Sequence, residues 1–313
     1  MRPLLVLLTA LLAAPLHAAP NVVADIAPVH SLVARVMEGV GGPSLLVNPS
    51  RSPHAYRLRP SQARDLEGAV VVFWIGKTYE PWLARAIPNV APRALAVPLM
   101  EARGVRQLKR REGATFGEHG HDEGGQDHDE GEHGHDEGGQ GHDEGSDPHV
   151  WLDPVNAASM TDAIADALVE ADPANARTYR SNAAAARDEL RALTSEVRDM
   201  LAGVEGRFVV FHDAFHHFEA RFDREAVGAL AGTDAVSPGA ARLSEVRALV
   251  ANVECVFTEP QMSSSGVEAV TRGTDVRIGT LDPLGVGHTP GPGLYPALIR
   301  GLAKSMKDCL EPS

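Results

Sequence analysis

Residues 112–147 read EGATFGEHGHDEGGQDHDEGEHGHDEGGQGHDEGSD, with His119, His121, His128, His133, His135 and His142 set among Asp and Glu on a glycine-rich backbone. Imidazole ligates zinc, copper and nickel, and carboxylates can complete a coordination shell. H-D-E and H-G-H recur through the tract, which sets it apart from a solvated acidic linker with incidental histidines. It has almost nothing to bury, so it is expected to be disordered and to offer several weak, secondary metal sites at those six histidines. The tract holds thirteen Asp and Glu and no Lys or Arg, against a net charge of −13 for the whole chain. The remainder is therefore close to neutral. Nothing in it resembles a basic nucleic-acid-binding surface, and no nucleic-acid partner is expected.

A second set of candidates is spread along the chain. His54 lies in NPSRSPHAYRLRPSQA, after a short apolar run; His149 lies in DPHVWLDP, ahead of a helical pattern; His212 ends the run FVVFH. Asp282, in RIGTLDPLG, again follows an apolar run. Each is a weak signal alone, and no local metal motif such as H-E-x-x-H supports them. Their shared setting is what matters, because in open α/β sheets ligands bind beyond the carboxyl ends of strands, where such residues converge. Pro53, Pro148 and Pro283 stiffen the three turns.

The elements that must position them follow from pattern. β-Branched runs recur at 22–26, 45–47, 70–75, 94–97, 208–211, 253–258 and 276–281, with helical patterns between many of them, at 29–38, 60–66, 157–171 and 238–251. Strands alternating with helices predict an α/β fold: two lobes, each a parallel sheet flanked by helices. One stretch breaks the alternation. Residues 172–203 are rich in Ala, Leu, Arg and Glu, with Leu190, Leu193, Val197 and Leu201 at the spacing of one helical face. Asp172 as N-cap and Pro173 in the first turn would start this helix. At 1.5 Å per residue it would reach about 40 Å, enough to connect two lobes. The expected organisation is an N-terminal lobe at 19–171 that carries the insert 112–147, a connecting helix at 172–203, and a C-terminal lobe at 204–313.

The N-terminus, MRPLLVLLTALLAAPLHA, has Arg2, an apolar core over 4–12 and small residues up to Ala18. That is the pattern of a secretory signal peptide at 1–18, too short to remain as a membrane span. A periplasmic, monomeric protein is expected, with no cysteine near the cleavage site to take a lipid anchor. The two cysteines, Cys255 in VECVFTE and Cys309 near the C-terminus, are an even count in an oxidising compartment. They are read as one disulfide or as two buried free thiols. A bridge would close a loop of about 55 residues, worth roughly 4 kcal/mol in the chain-entropy model.

The stretches PHAYRLRPSQARDL, DPHVWLDP, VVFHDAFHHFEARF, FTEPQ and RIGTLDPLG, in this order and with a His/Asp/Glu insert between the first two, resemble the zinc-binding component of an ABC importer. This is the ZnuA type within the zinc- and manganese-binding family, and the resemblance runs along nearly the whole mature chain. It implies two α/β lobes joined by one long helix, with Zn2+ held between them by His54, His149 and His212, and a disulfide between Cys255 and Cys309. It implies delivery to a membrane permease and its ATPase. Relatives often carry Glu just before the first ligand histidine, where this chain has Pro53; the fourth ligand is left to Asp282 or water. Three imidazoles and an oxygen suit tetrahedral zinc, whereas manganese prefers more oxygen. Binding is expected to weaken below about pH 6 as histidine protonates.

Other readings of the same residues are a periplasmic zinc chaperone or buffer, and a zinc hydrolase with Glu259 or Asp213 as base. Against the hydrolase, no catalytic signature is present. Asp213 is expected to cap the helix after His212 and Glu259 to close a strand turn; His216 and His217 are expected to face solvent, with a secondary metal site there as the alternative reading. His30 is not expected to be a ligand.

Overall fold

β-Branched and aromatic runs too short for helices form the centres of two parallel sheets. The computed structural model describes residues 18–116 and 145–311; residues 1–17 of the expected signal segment and all six tract histidines lie outside the described residues. The chain begins β1 (Val22–Ala24), α1 (Ala27–Val36), β2 (Ser44–Leu45), α2 (Pro60–Glu67), β3 (Val71–Trp74), α3 (Pro81–Val90) and β4 (Leu95–Pro98). It continues through α4 (Pro154–Ala171) and α5 (Ala176–Leu201). The second half is β5 (Phe208–His212), α6 (His216–Phe222), β6 (Gly228–Ala231), α7 (Ala240–Val250), β7 (Cys255–Thr258), α8 (Ser265–Thr271), β8 (Arg277–Thr280) and α9 (Leu294–Leu310).

The first sheet has the order β2-β1-β3-β4 and the second β6-β5-β7-β8, all pairs parallel. Strands β3 and β5 are buried at every residue, as expected for parallel strands covered on both faces. The strand order reverses between β1 and β3, and again between β5 and β7, so each sheet offers one crevice at its carboxyl end. Strand β6, Gly-Ala-Leu-Ala, was not foreseen, because it lacks the residues that favour strands. Its neighbours place it, and Gly228 is required there: a Cβ at that position would collide with the Ala114 carbonyl oxygen.

The long helix is real but begins later than its pattern suggested. Asp172 closes α4, the 3-10 turn Pro173–Asn175 follows, and α5 starts at Ala176. The Asp172 carboxylate accepts from the Tyr179 hydroxyl at 2.7 Å and from Asn175 Nδ2 at 2.8 Å, so it is not spent on the first N–H groups of the helix. Leu190, Leu193, Val197 and Leu201 are all buried, against α4, α9 and α1. At 1.5 Å per residue, 26 residues make about 39 Å. Buried hydrogen bonds stitch the halves together: Trp151 Nε1 donates to Pro283 O at 2.9 Å, and the Tyr295 hydroxyl to Trp151 O at 2.7 Å. The Cys255–Cys309 disulfide, spanning 54 residues, fastens α9 to β7. By the chain-entropy account it contributes about 4 kcal/mol.

The flanks of the acidic tract belong to the fold, so the range 112–147 was drawn too wide. Arg110 N donates to Gly145 O at 2.7 Å and Asp147 N to Leu108 O at 2.8 Å, making an antiparallel base to the insert. Residues 111–116 then leave the first half and pair with the free edge of β6, where Phe116 N donates to Val227 O and Ala229 N to Ala114 O. Arg111 secures this crossing. Its guanidinium meets Asp213 and reaches Glu219 Oε2 at 2.6 Å, both carboxylates being buried. Asp213 therefore serves Arg111 rather than capping α6, whose N-terminus has no side-chain cap.

Candidate metal centre

Strand β5 delivers His212 to the crevice between β5 and β7, and the residue just past β7 is Glu259. Its Oε1 accepts from His212 Nδ1 at 2.6 Å and from the His212 backbone N–H at 3.2 Å. The same arrangement holds His149. Asp147 Oδ1 accepts from His149 Nδ1 at 2.8 Å and from its backbone N–H at 3.0 Å, an Asx-type turn across Pro148. In both residues the carboxylate fixes the proton on Nδ1 and leaves the Nε2 lone pair pointing inward. Those two Nε2 atoms lie 3.3 Å apart. His54, in the loop between β2 and α2, completes the cluster from the first half. Its ring centroid is 5.6 Å from each of the others, and its buried Nε2 has no hydrogen-bond partner.

Three nitrogens converging in this way could hold a metal ion. One ligand atom from each of His54, His149 and His212 lies within 4.8 Å of the others, the one such group among the described residues. Tetrahedral zinc with Zn–N bonds of about 2.0–2.1 Å places its ligands about 3.3–3.4 Å apart, which the His149–His212 pair already matches. The enclosed space is about 10 Å3, close to that of one water-sized sphere. That is the size of a single ion or water. Tyr79 closes one wall, with its ring 4.8 Å from His54 and 5.4 Å from His149, and the Trp82 indole holds the Pro53 carbonyl at 2.8 Å.

The electrostatics divide the three histidines. Burial lowers the pKa of His54 well below its usual value, helped by His149, His212 and Arg110. Burial also lowers His149, although Asp147 opposes it. For His212 burial is again the largest influence, but Glu259, Asp213 and Asp147 together outweigh it and raise the pKa. A proton on Nε2 of His212 therefore competes with a metal ion more strongly than one on a free histidine does. A metal ion must displace it. Zinc binding is expected to release protons mainly from His212, and affinity to fall by up to about tenfold per pH unit as pH drops below the His212 pKa. His54 and His149 join the competition only at lower pH. Calorimetry in buffers of differing ionisation enthalpy measures the count; a value near three would refute this division.

The remaining predicted residues fall elsewhere. The Asp282 carboxylate is outside the three-histidine group and is committed to its own loop. Its Oδ1 accepts from Gln261 Nε2 at 2.9 Å, Leu284 N at 3.1 Å and Gly285 N at 2.9 Å, and its Oδ2 from Val286 N at 2.5 Å. His30 Nε2 bonds the Pro43 carbonyl oxygen at 3.0 Å. His217 is buried, contrary to expectation, with Nε2 donating to Asp147 O at 3.2 Å, while His216 is half-buried. Glu259 closes the turn after β7, as expected, its carbonyl accepting from Met262 N at 3.1 Å, and its carboxylate also orients a ligand candidate. Asp147 had been counted as the end of the acidic tract; the Asp-Pro-His sequence was the signal that could have singled it out.

A family model described as the periplasmic zinc-uptake complex component A, ZnuA, matches residues 22–309. The high-affinity zinc uptake system protein ZnuA of Brucella suis is 43% identical over 306 residues, covering 93% of this chain and 92% of its own. Among solved structures, a ZnuA crystal structure superposes with a TM-score of 0.75 at 21% identity, covering 94% of this chain and all of its own. The periplasmic zinc binding protein TroA from Treponema pallidum gives 0.76 at 21% identity, with the same coverage.

Proposed function

Since the chain belongs to the periplasmic zinc-uptake component A family, we propose that it captures Zn2+ between its two halves and delivers it to an ABC permease and ATPase. The observation that carries this reading is the convergence of three imidazoles, those of His149 and His212 buried and that of His54 half-buried, on a space about the size of an ion. Zinc is the cargo. His54, His149 and His212 hold it, and an oxygen completes the shell. Water supplies that oxygen more readily than Asp282, whose four hydrogen bonds would have to be given up. The protein carries the ion from the periplasm to the membrane without changing it chemically. Against a hydrolase, the candidate bases Glu259 and Asp213 are engaged by His212 and Arg111.

The tract histidines add weak, fast-exchanging sites outside this centre. Competition titration against a chelator, with Zn2+ and Mn2+ in parallel, tests the assignment. The intact chain and a chain lacking 117–144 are both expected to keep one tight zinc site that manganese does not fill, while the shortened chain loses the weak sites. The deletion must stop there, because 112–116 and 145–147 are part of the fold. Loss of the tight site with the tract would make the protein a zinc buffer.

A further inference from the structure

Asp147 has two carboxylate oxygens with different surroundings. Oδ1 holds His149; Oδ2 is buried and, among the described residues, has no hydrogen-bond partner. Glu259 Oε2 is in the same state; such an oxygen calls for a water or an ion from outside the protein, and what sets Asp147 apart is the group that faces it. Facing it at 3.9 Å is His216 Nδ1, which is also buried and unpartnered. That separation is too long for a hydrogen bond. It lies just below the span of about 4.0–4.3 Å that two zinc bonds laid end to end would cover. An ion fits between them at an opened angle, or at a tetrahedral one after the two atoms close by about half an ångström.

We propose that Asp147 Oδ2 and His216 Nδ1 form a second, weaker binding site for a divalent cation of the zinc type, distinct from the three-histidine centre and joined to it through the Asp147 carboxylate. Both ligand atoms are themselves buried, so an ion enters by displacement of the His216 ring, whose side chain is 23% exposed. The surroundings allow it: Arg111 lies close enough to influence His216, as do Asp213 and Glu225, but Arg111 is already neutralised by Asp213 and Glu219. Burial keeps the imidazole of His216 neutral to lower pH than usual, which preserves its lone pair. Two protein ligands make a weak, quickly exchanging site. An ion on Oδ2 also draws charge away from the oxygen that orients His149, so each site is expected to weaken the other, reciprocally.

The test is a zinc titration of the intact chain followed by site-resolved nitrogen NMR of the histidine rings, beside the variant His216→Gln. After the first equivalent has filled the three-histidine centre, further zinc should shift Nδ1 of His216, with a midpoint well above that of the first step. His216→Gln should remove that step and leave the first step and the tract histidine shifts in place. A zinc-soaked crystal measured at the zinc edge should show anomalous density between Asp147 and His216. Nδ1 of His216 staying unmoved while the tract histidines saturate, or a bridging water alone in the crystal, would overturn the proposal. Neither result would touch the three-histidine site, which has its own titration step.

Discussion

Replacing His149 with alanine is expected to abolish tight zinc binding, with a loss of well over 100-fold, while the protein stays folded. The variant leaves two imidazoles facing each other without the third, and it leaves Asp147 Oδ1 with only the backbone N–H of residue 149. A graded companion makes the result interpretable. Glu259→Gln preserves shape and every zinc ligand, but removes the negative charge 2.6 Å from His212 Nδ1. Losses of 10–100-fold are typical when a carboxylate behind a ligating histidine is removed, so the order of affinity should be wild type, then Glu259→Gln, then His149→Ala. Glu259→Gln should also move the pH dependence to lower pH, because the main influence raising the His212 pKa is gone. Chelator competition at several pH values measures both. Equal zinc affinity in all three proteins would mean that the cleft is not the metal site.

Arg111→Ala is expected to cost about 3–5 kcal/mol of folding stability, the range for removing one partner of a buried ion pair. The reason is what it leaves behind. Asp213 and Glu219 are 1% and 0% exposed, and Arg111 is the cation that pairs with both. The pKa of Glu219 is already raised, by burial and by Asp213, despite Arg111; without the guanidinium two carboxylates would confront each other in a dry interior. For a chain of this size such a loss lowers the melting temperature by on the order of 10 °C. Arg111→Lys should fall between, since an ammonium keeps the charge but cannot engage both carboxylates through a planar fork. Denaturant and thermal unfolding measure the effect. A change below about 1 kcal/mol for Arg111→Ala would show that the crossing at 111–116 does not depend on this residue.

Local pattern carried a large part of this protein. β-Branched runs marked seven of the eight strands, because a buried parallel strand must be apolar on both faces. The 3–4 spacing of Leu190, Leu193, Val197 and Leu201 marked the buried face of the long helix. Charge counting located the acidic tract, and histidines placed just after strands pointed to the cleft. Where local preference and tertiary context disagreed, the reading failed: Gly-Ala-Leu-Ala became a strand because the edges of β5 and of residues 114–116 were there to pair with it.

Composition and periodicity are properties of neighbouring residues, so the sequence alone determined the α/β class, the helix faces, the export signal expected at the start and the types of side chain available for a metal. Which carboxylate stands behind which histidine is a property of chain topology. Glu259 and His212 are 47 residues apart, and Arg111 and Asp213 are 102 apart; they meet because β5 and β7 are adjacent and because the insert's flank crosses to β6. The tertiary structure brought together His54, His149 and His212, as expected, and decided that Asp282 stays tied to its loop. Distances of 3 Å between such residues follow from sheet order and loop packing, and no spacing along the chain encodes them.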